Sequence, residues 1–294
     1  MSEIVSAGTG PVTLIAGNGR IPMQITTALK SAGRDFRVIA IRGEADEHTR
    51  LLADTELGWG EIGRLCSFLK KNKCHDVLLI GGITKRPEYT SILGDFGTLR
   101  RLPRIFRTLT GGDDSLLSKV IRFFEDEEFR VVGIKDVAPE LLAASGVLGK
   151  VQPKSAVWKD IQLALAATRK LGELDIGQAA VAVAGRVIAL EGAEGTDAML
   201  ERCAELTRAG RVKAKNNLGV LVKTAKPNQD LRVDLPTIGP RTIDLALAAG
   251  LSGIAIEAGG ALVSDREETL SRANAAGLFV VGIDQMAHDS RLEE

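Results

Sequence analysis

The densest run of chemically capable side chains in the sequence is KTAKPNQDLRVDLP, from Lys223 to Pro236. Lys223, Lys226 and Arg232 carry the positive charge that neutralises a pyrophosphate. Asp230 and Asp234 offer the hard oxygens that magnesium prefers. Upstream, EGAEGTD (191–197) adds Glu191 and Asp197 as further oxygen ligands, with Thr196 beside them. Handling a phosphorylated ligand uses this combination: cations against its charge, and carboxylates for a metal ion. Asp230, Asp234 and Lys223 are therefore the catalytic candidates. Glu191, Asp197, Asp230 and Asp234 are the metal candidates. Lys226 and Arg232 would hold the pyrophosphate, Gln229 and Thr196 would orient oxygens, and Glu257 in EAGG (257–260) joins the substrate-binding set. A solvated surface loop is the plain alternative, but the run follows a buried strand and is too dense in hydrogen-bonding groups for mere surface. Ala225 is an apolar gap in the string, where a carboxylate would be well placed for metal or water.

The first half carries three glycine-bearing clusters. GNGRIP (17–22) follows the first apolar run, and its glycines would let backbone N–H groups approach an anion closely. Gly17, Asn18, Gly19 and Arg20 are its binding candidates. The cluster resembles a dinucleotide fingerprint but has Pro22 at the third glycine position. The second apolar run ends in Arg42, Gly43 and Glu44 without a ribose-binding acid in the usual place, which disfavours an NAD enzyme. GGITKRP (81–87) offers Gly82, Thr84 and Lys85 to a phosphate, and TGGDDS (110–115) offers Asp113 and Asp114 to a sugar hydroxyl or a cation. His48, His75 and His288 are far apart and read as surface or satisfied residues.

Short apolar runs at 12–17, 36–41 and 76–83 alternate with helical patterns at 21–33 and 62–72. That alternation predicts a Rossmann-like parallel sheet in an N-terminal domain, 1–150. A mostly helical stretch through 129 and a strand at 130–134 complete it, and the loose segment at 145–155 is the expected boundary. In the C-terminal domain, 151–294, the pattern predicts a helix at 158–171 and a hairpin at 179–191. A helix capped by Thr196, a strand at 219–225, a helix opened by Gly239 and Pro240, and strands at 253–259, 261–264 and 278–284 follow. The fold class is thus α/β, a parallel N-terminal sheet and a mixed C-terminal one, with the ligand expected in the interdomain cleft.

Lys+Arg and Asp+Glu both number 38, and this zero net charge argues against nucleic-acid binding. The three cysteines form no CxxC pair, so neither a zinc site nor a disulfide framework is expected. No apolar run reaches the roughly 18–20 residues needed to span a bilayer, and no signal peptide is evident, so the expected location is cytoplasmic. The basic-apolar run LRRLPRIFR (99–107) could touch anionic lipid at the inner membrane.

The chain resembles the UDP-2,3-diacylglucosamine pyrophosphatase family of the LpxI type over nearly its whole length. The resemblance rests on AGNGRIP (16–22), GGITKRP (81–87), TGGDDSLL (110–117), EGAEGTDAML (191–200), KPNQDLRVDLPTIGP (226–240) and AIEAGG (255–260), the second-half blocks being the more specific. It implies hydrolysis of UDP-2,3-diacylglucosamine to UMP and 2,3-diacylglucosamine 1-phosphate (lipid X), a cytoplasmic step of lipid A synthesis. It further implies a divalent cation, normally magnesium, water directed at the sugar-side phosphorus, and a homodimer with transient inner-membrane contact. The alternatives are another sugar-nucleotide hydrolase, or a binder of acylated nucleotide sugar that is impaired in turnover if a carboxylate belongs at Ala225.

Overall fold

A computed structural model describes residues 10–83, 113–212 and 219–284, with backbone alone at 113–116. The chain divides after Pro139 into two compact units. This is earlier than the 150 expected from composition, because the intervening segment is already bonded into the second unit. The Ala143 N–H donates to the Ala261 carbonyl (2.8 Å) and the Leu148 N–H to the Val280 carbonyl (2.9 Å).

In the first unit the elements run β1 (Val12–Ala16), α1 (Ile21–Ser31), β2 (Phe36–Ile41), α2 (Glu47–Leu52), β3 (Thr55–Leu57), α3 (Ile62–Lys71), β4 (Asp76–Ile80), α4 (Asp113–Asp126), β5 (Arg130–Val131) and α5 (Ile134–Val137). The strands form one sheet in the order β3-β2-β1-β4-β5, parallel at every pairing. All five residues of β1 are buried, as the central strand of a parallel sheet requires. The chain leaves β1 toward β2 on one side and returns to β4 on the other. The carboxyl ends of β1 and β4 therefore mark the topological switch point, where open α/β sheets bind ligands. At the opposite end Arg130 grips Asp76 with Nε and Nη2 (2.8 and 2.7 Å), tying together the first residues of β4 and β5.

The second unit continues with β6 (Gly146–Val147), α6 (Trp158–Glu173), β7 (Ala179–Val183), β8 (Arg186–Leu190), α7 (Gly195–Arg208), β9 (Val220–Lys223), β10 (Thr237–Ile238), α8 (Pro240–Ala248), β11 (Gly253–Glu257), β12 (Leu262–Val263), α9 (Arg266–Ala275) and β13 (Phe279–Ile283). Its main sheet has the order β6-β13-β11-β9-β7-β8. β13, β11 and β9 pair in parallel, while β6, β7 and β8 join antiparallel, so the sheet is mixed. β10 and β12 form a separate parallel pair.

Strand alternation builds two cores. Val181, Leu221, Ile254, Ile256 and Val280 face one way, onto Met199, Leu200 and Cys203 of α7, Ile243 and Ala246 of α8 and Ala273 of α9. Ala180, Ala182, Val220, Val222, Ala255 and Val281 face the other way, onto Ile161, Ala164 and Leu165 of α6. Each fully buried Leu, Ile or Met here contributes about 1.5–3 kcal/mol. α2, β3, β6 and α9 were not legible as patterns. α2 and β3 are six and three residues long, and α9 (REETLSRANA) shows no apolar stripe.

Candidate active site

β9 ends at Lys223, in register with Ala179 of β7 and Ile256 of β11. Two residues after Leu221, the Lys223 side chain falls on the sheet face covered by α7 and α8. It is only 8% exposed, and Glu191, which follows β8, is 6% exposed. The Lys223 Nζ donates to the Thr237 carbonyl on β10 (3.1 Å). Burial pushes the ammonium below its ordinary pKa, and the negative charges of Glu191, Asp197 and Asp234 oppose that shift. Glu191 is held from two sides. Its Oε1 accepts the Thr196 hydroxyl (2.9 Å) and its Oε2 the Gln178 N–H (3.2 Å). Thr196 was expected to cap the following helix. α7 instead begins at Gly195 with no side-chain cap, and the Thr196 hydroxyl is spent on Glu191.

The string after β9 is fastened to itself. The Ala225 N–H donates to the Glu257 Oε2 at the end of β11 (2.9 Å), so Ala225 enters the site through its backbone. Glu257 can turn back because Gly260 lacks a side chain: a Cβ there would lie 2.6 Å from the carboxyl carbon. The Lys226 N–H donates to the Gln229 Oε1 (2.9 Å), and the Gln229 amide donates in turn to the Asp234 Oδ2. Lys226 Nζ reaches Asp175 beyond α6 (2.5 Å). Arg232 holds Asp230 in a two-pronged grip, Nε to Oδ1 at 3.0 Å and Nη2 to Oδ2 at 2.7 Å, which keeps the Asp230 carboxyl below the usual carboxylate range. Asp197 pairs with Arg241 (2.7 Å).

Lys223 lies among Glu191, Asp197 and Asp234, and each of these carboxylates also has another partner. Lys226 and Arg232 already face carboxylates. Among the described residues no three His, Cys, Asp or Glu are placed to hold a metal ion together. Magnesium commonly uses only one or two carboxylates and completes its shell with substrate phosphate and water. Asp234, with its Oδ2 on a neutral amide rather than on a cation, fits that smaller role. Gln178 was overlooked, because a lone glutamine before a strand carries no sequence signal.

In the first unit the glycines answer to each other. The Asn18 N–H donates to the Gly82 carbonyl (2.9 Å) and the Gly82 N–H to the Asn18 carbonyl (2.8 Å). A Cβ at Gly17 would lie 2.2 Å from the Gly82 oxygen. The glycines thus let the loops after β1 and β4 touch at the switch point. Gly19 has φ +101°, and its N–H donates to the Asp46 Oδ2 (2.8 Å), while the Asp46 Oδ1 accepts from Thr49 and caps α2. An acid does reach the glycine loop, two residues beyond Glu44, and its charge disfavours a phosphate at that N–H. Arg20 sits at the start of α1 and is exposed. Asp113 and Asp114 open α4, their side chains lying outside the described residues. Thr84, Lys85 and the basic run at 99–107 also lie outside them.

The two units coincide with two family domains. Residues 11–141 match the LpxI N-terminal domain and 144–281 the LpxI C-terminal domain. The chain belongs to the LpxI family. It is similar to the UDP-2,3-diacylglucosamine pyrophosphatase LpxI of Caulobacter vibrioides, 43% identical over 92% of this chain and 96% of that protein. The Lys223 neighbourhood lies in the LpxI C-terminal domain, and the Gly17–Gly82 contact in the LpxI N-terminal domain. Among the described residues, no helix is long and apolar enough to cross a membrane.

Proposed function

We propose that the chain hydrolyses UDP-2,3-diacylglucosamine to UMP and 2,3-diacylglucosamine 1-phosphate, as a cytoplasmic homodimer that visits the inner membrane to collect its lipid substrate. The observation that carries this reading is Lys223, a buried cation among Glu191, Asp197 and Asp234 in a protein 43% identical to a pyrophosphatase of that specificity. Lys223 opposes the charge that builds on the phosphate oxygens as the anhydride breaks. Glu191 opposes the burial that lowers the Lys223 pKa. Asp234 orients the attacking water, and Asp230 fixes Arg232 so that its guanidinium meets the pyrophosphate in one geometry. Gly17–Arg20 and Gly82 are assigned to the uridine or glucosamine portion, together with Thr84, Lys85, Asp113 and Asp114. Asp234 would hold a magnesium ion, which would supply Lewis-acid polarisation of the anhydride.

The test is UMP release from the purified chain with magnesium, with a chelator, and in Asp234→Asn. Metal-dependent release that falls roughly a hundredfold or more in Asp234→Asn is the expected result. No release under any condition overturns the reading. Restoration by Ala225→Asp alone would mark this chain as an impaired binder.

A further inference from the structure

The segment Asp175–Gln178, between α6 and β7, touches the candidate site at three residues. Gly177 presses on Glu191 so closely that a Cβ would sit 2.2 Å from the Glu191 carbonyl oxygen. The Gln178 N–H donates to the Glu191 Oε2 (3.2 Å), and the Gln178 carbonyl accepts from the N–H of Thr224, the residue after Lys223 (3.0 Å). Asp175 heads the segment, and its Oδ1 accepts from the Lys226 Nζ (2.5 Å). The main chain of Lys226 is seated on the end of α6. Gly172 leaves the room: a Cβ there would lie 2.8 Å from the Pro227 Cδ and 3.3 Å from the Lys226 Cα. The Lys226 N–H donates to Gln229, whose amide reaches Asp234. Lys226 thus belongs to the site by its backbone, and its side chain, 19% exposed, runs to Asp175.

The helix end does not account for a carboxylate at this position. The turn is closed by backbone bonds, from the Asp175 N–H to the Gly172 carbonyl (3.1 Å) and from the Ile176 N–H to the Leu171 carbonyl (3.0 Å), with Asp175 at φ +55°. Glycine is favoured there, and α1, α7, α8 and α9 close the same turn on Gly33, Gly210, Gly250 and Gly277. α3 and α4 close it on Lys73 and Glu128, so the turn tolerates a side chain without gaining from one. A helix C-terminus is also the negative end of the helix dipole, where a carboxylate is disfavoured.

We propose that Asp175 is a positioning residue: it holds the Lys226 ammonium in one place for the substrate's pyrophosphate, as Asp230 holds Arg232. The inference rests on the hydrolysis proposed above. An ammonium has three donors, so one spent on Asp175 leaves two for phosphate oxygens. A lysine left loose would have to be ordered by the substrate itself, and that cost falls on binding rather than on the chemical step. Asp175 is 60% exposed, so water screens its charge and its repulsion of phosphate is the weaker effect.

Asp175→Gly tests this, since it removes the carboxylate and gives the turn the residue it favours. UMP release is measured first for the parent with magnesium, then for Asp175→Gly, Lys226→Met and the double variant, together with the thermal midpoint of each. The expected result for Asp175→Gly is KM raised roughly 3- to 10-fold, kcat within about twofold, and a midpoint equal to or above the parent's. Lys226→Met is expected to raise KM at least as much, and adding Asp175→Gly to it to leave KM within about 1.5-fold. A merely structural tie would lower the midpoint and leave KM alone. A KM for Asp175→Gly within about twofold of the parent's, or below it, overturns the inference. A further rise of KM in the double variant overturns it too, because Asp175 would then act otherwise than through Lys226. A parent that releases no UMP defeats the proposed function instead, and this outcome is recognised before any variant is compared.

Discussion

The Lys223–Glu191 relationship makes a quantitative demand. Both side chains are more than nine-tenths buried, so removing either strands the other without water. Breaking a buried charge pair costs about 3–5 kcal/mol when the survivor has nothing else. Glu191 has more: the Thr196 hydroxyl and the Gln178 N–H remain, and Lys223 keeps the Thr237 carbonyl. The coupling acts through space within one buried site and should therefore be nearer 2 kcal/mol, inside the range of about 0.5–3 kcal/mol for coupled residues. The assay is a double-mutant cycle in urea with Lys223→Met, Glu191→Gln and the pair. The double variant is expected to be about 2 kcal/mol more stable than the sum of the single losses implies. Coupling below about 0.5 kcal/mol would refute the claim that Glu191 compensates the buried ammonium. The pH dependence has a fixed sign. Lys223's folded pKa is lowered, so between the folded and unfolded pKa values the unfolded chain binds more protons and stability rises with pH. The rise is expected to steepen in Glu191→Gln, where one opposing charge is gone, and to vanish in Lys223→Met.

Gly17→Ala is expected to cost about 1–3 kcal/mol in denaturant titration, since its Cβ meets the Gly82 oxygen at 2.2 Å and neither backbone has room to yield; a neutral result would mean that the two loops do not touch. Asp46→Ala should cost about 1 kcal/mol near neutral pH through loss of the α2 cap. Because backbone hydrogen bonds lower the Asp46 pKa, its stabilisation is complete above the ordinary 3.8 and lost as pH falls through the folded value, so parent and variant should converge in acid. Burial raises the Cys203 thiol to about 11, and Cys66 and Cys74 are also buried. A thiol reagent at pH 8 should therefore label all three only in denaturant, and rapid labelling of the native protein would contradict their burial.

Much of this protein was legible as pattern. Continuous apolar runs such as VTLIA alternating with helical patterns fit a doubly covered parallel sheet, so the first domain followed from composition and period. The AAVAV and RVIAL runs about a Gly-Arg turn marked a hairpin, and Gly239 with Pro240 marked a helix start. The polar string after Lys223 announced a site because so many charged groups follow a buried strand. Pattern could not say which charges meet. Asp46 reaches Gly19 across 27 residues, Ala225 reaches Glu257 across 32, and Lys226 reaches Asp175 across 51. Those partners are chosen by strand order, which brings β7, β9 and β11 side by side although they are distant in sequence. The same order leaves Gln178 between Glu191 and Thr224 with its amide oxygen unpaired. Local sequence thus determined the elements and the kinds of groups at the site. The tertiary structure alone decided which of those groups are already paired and which still seek a partner, because burial and hydrogen-bond geometry arise only when the strands are assembled.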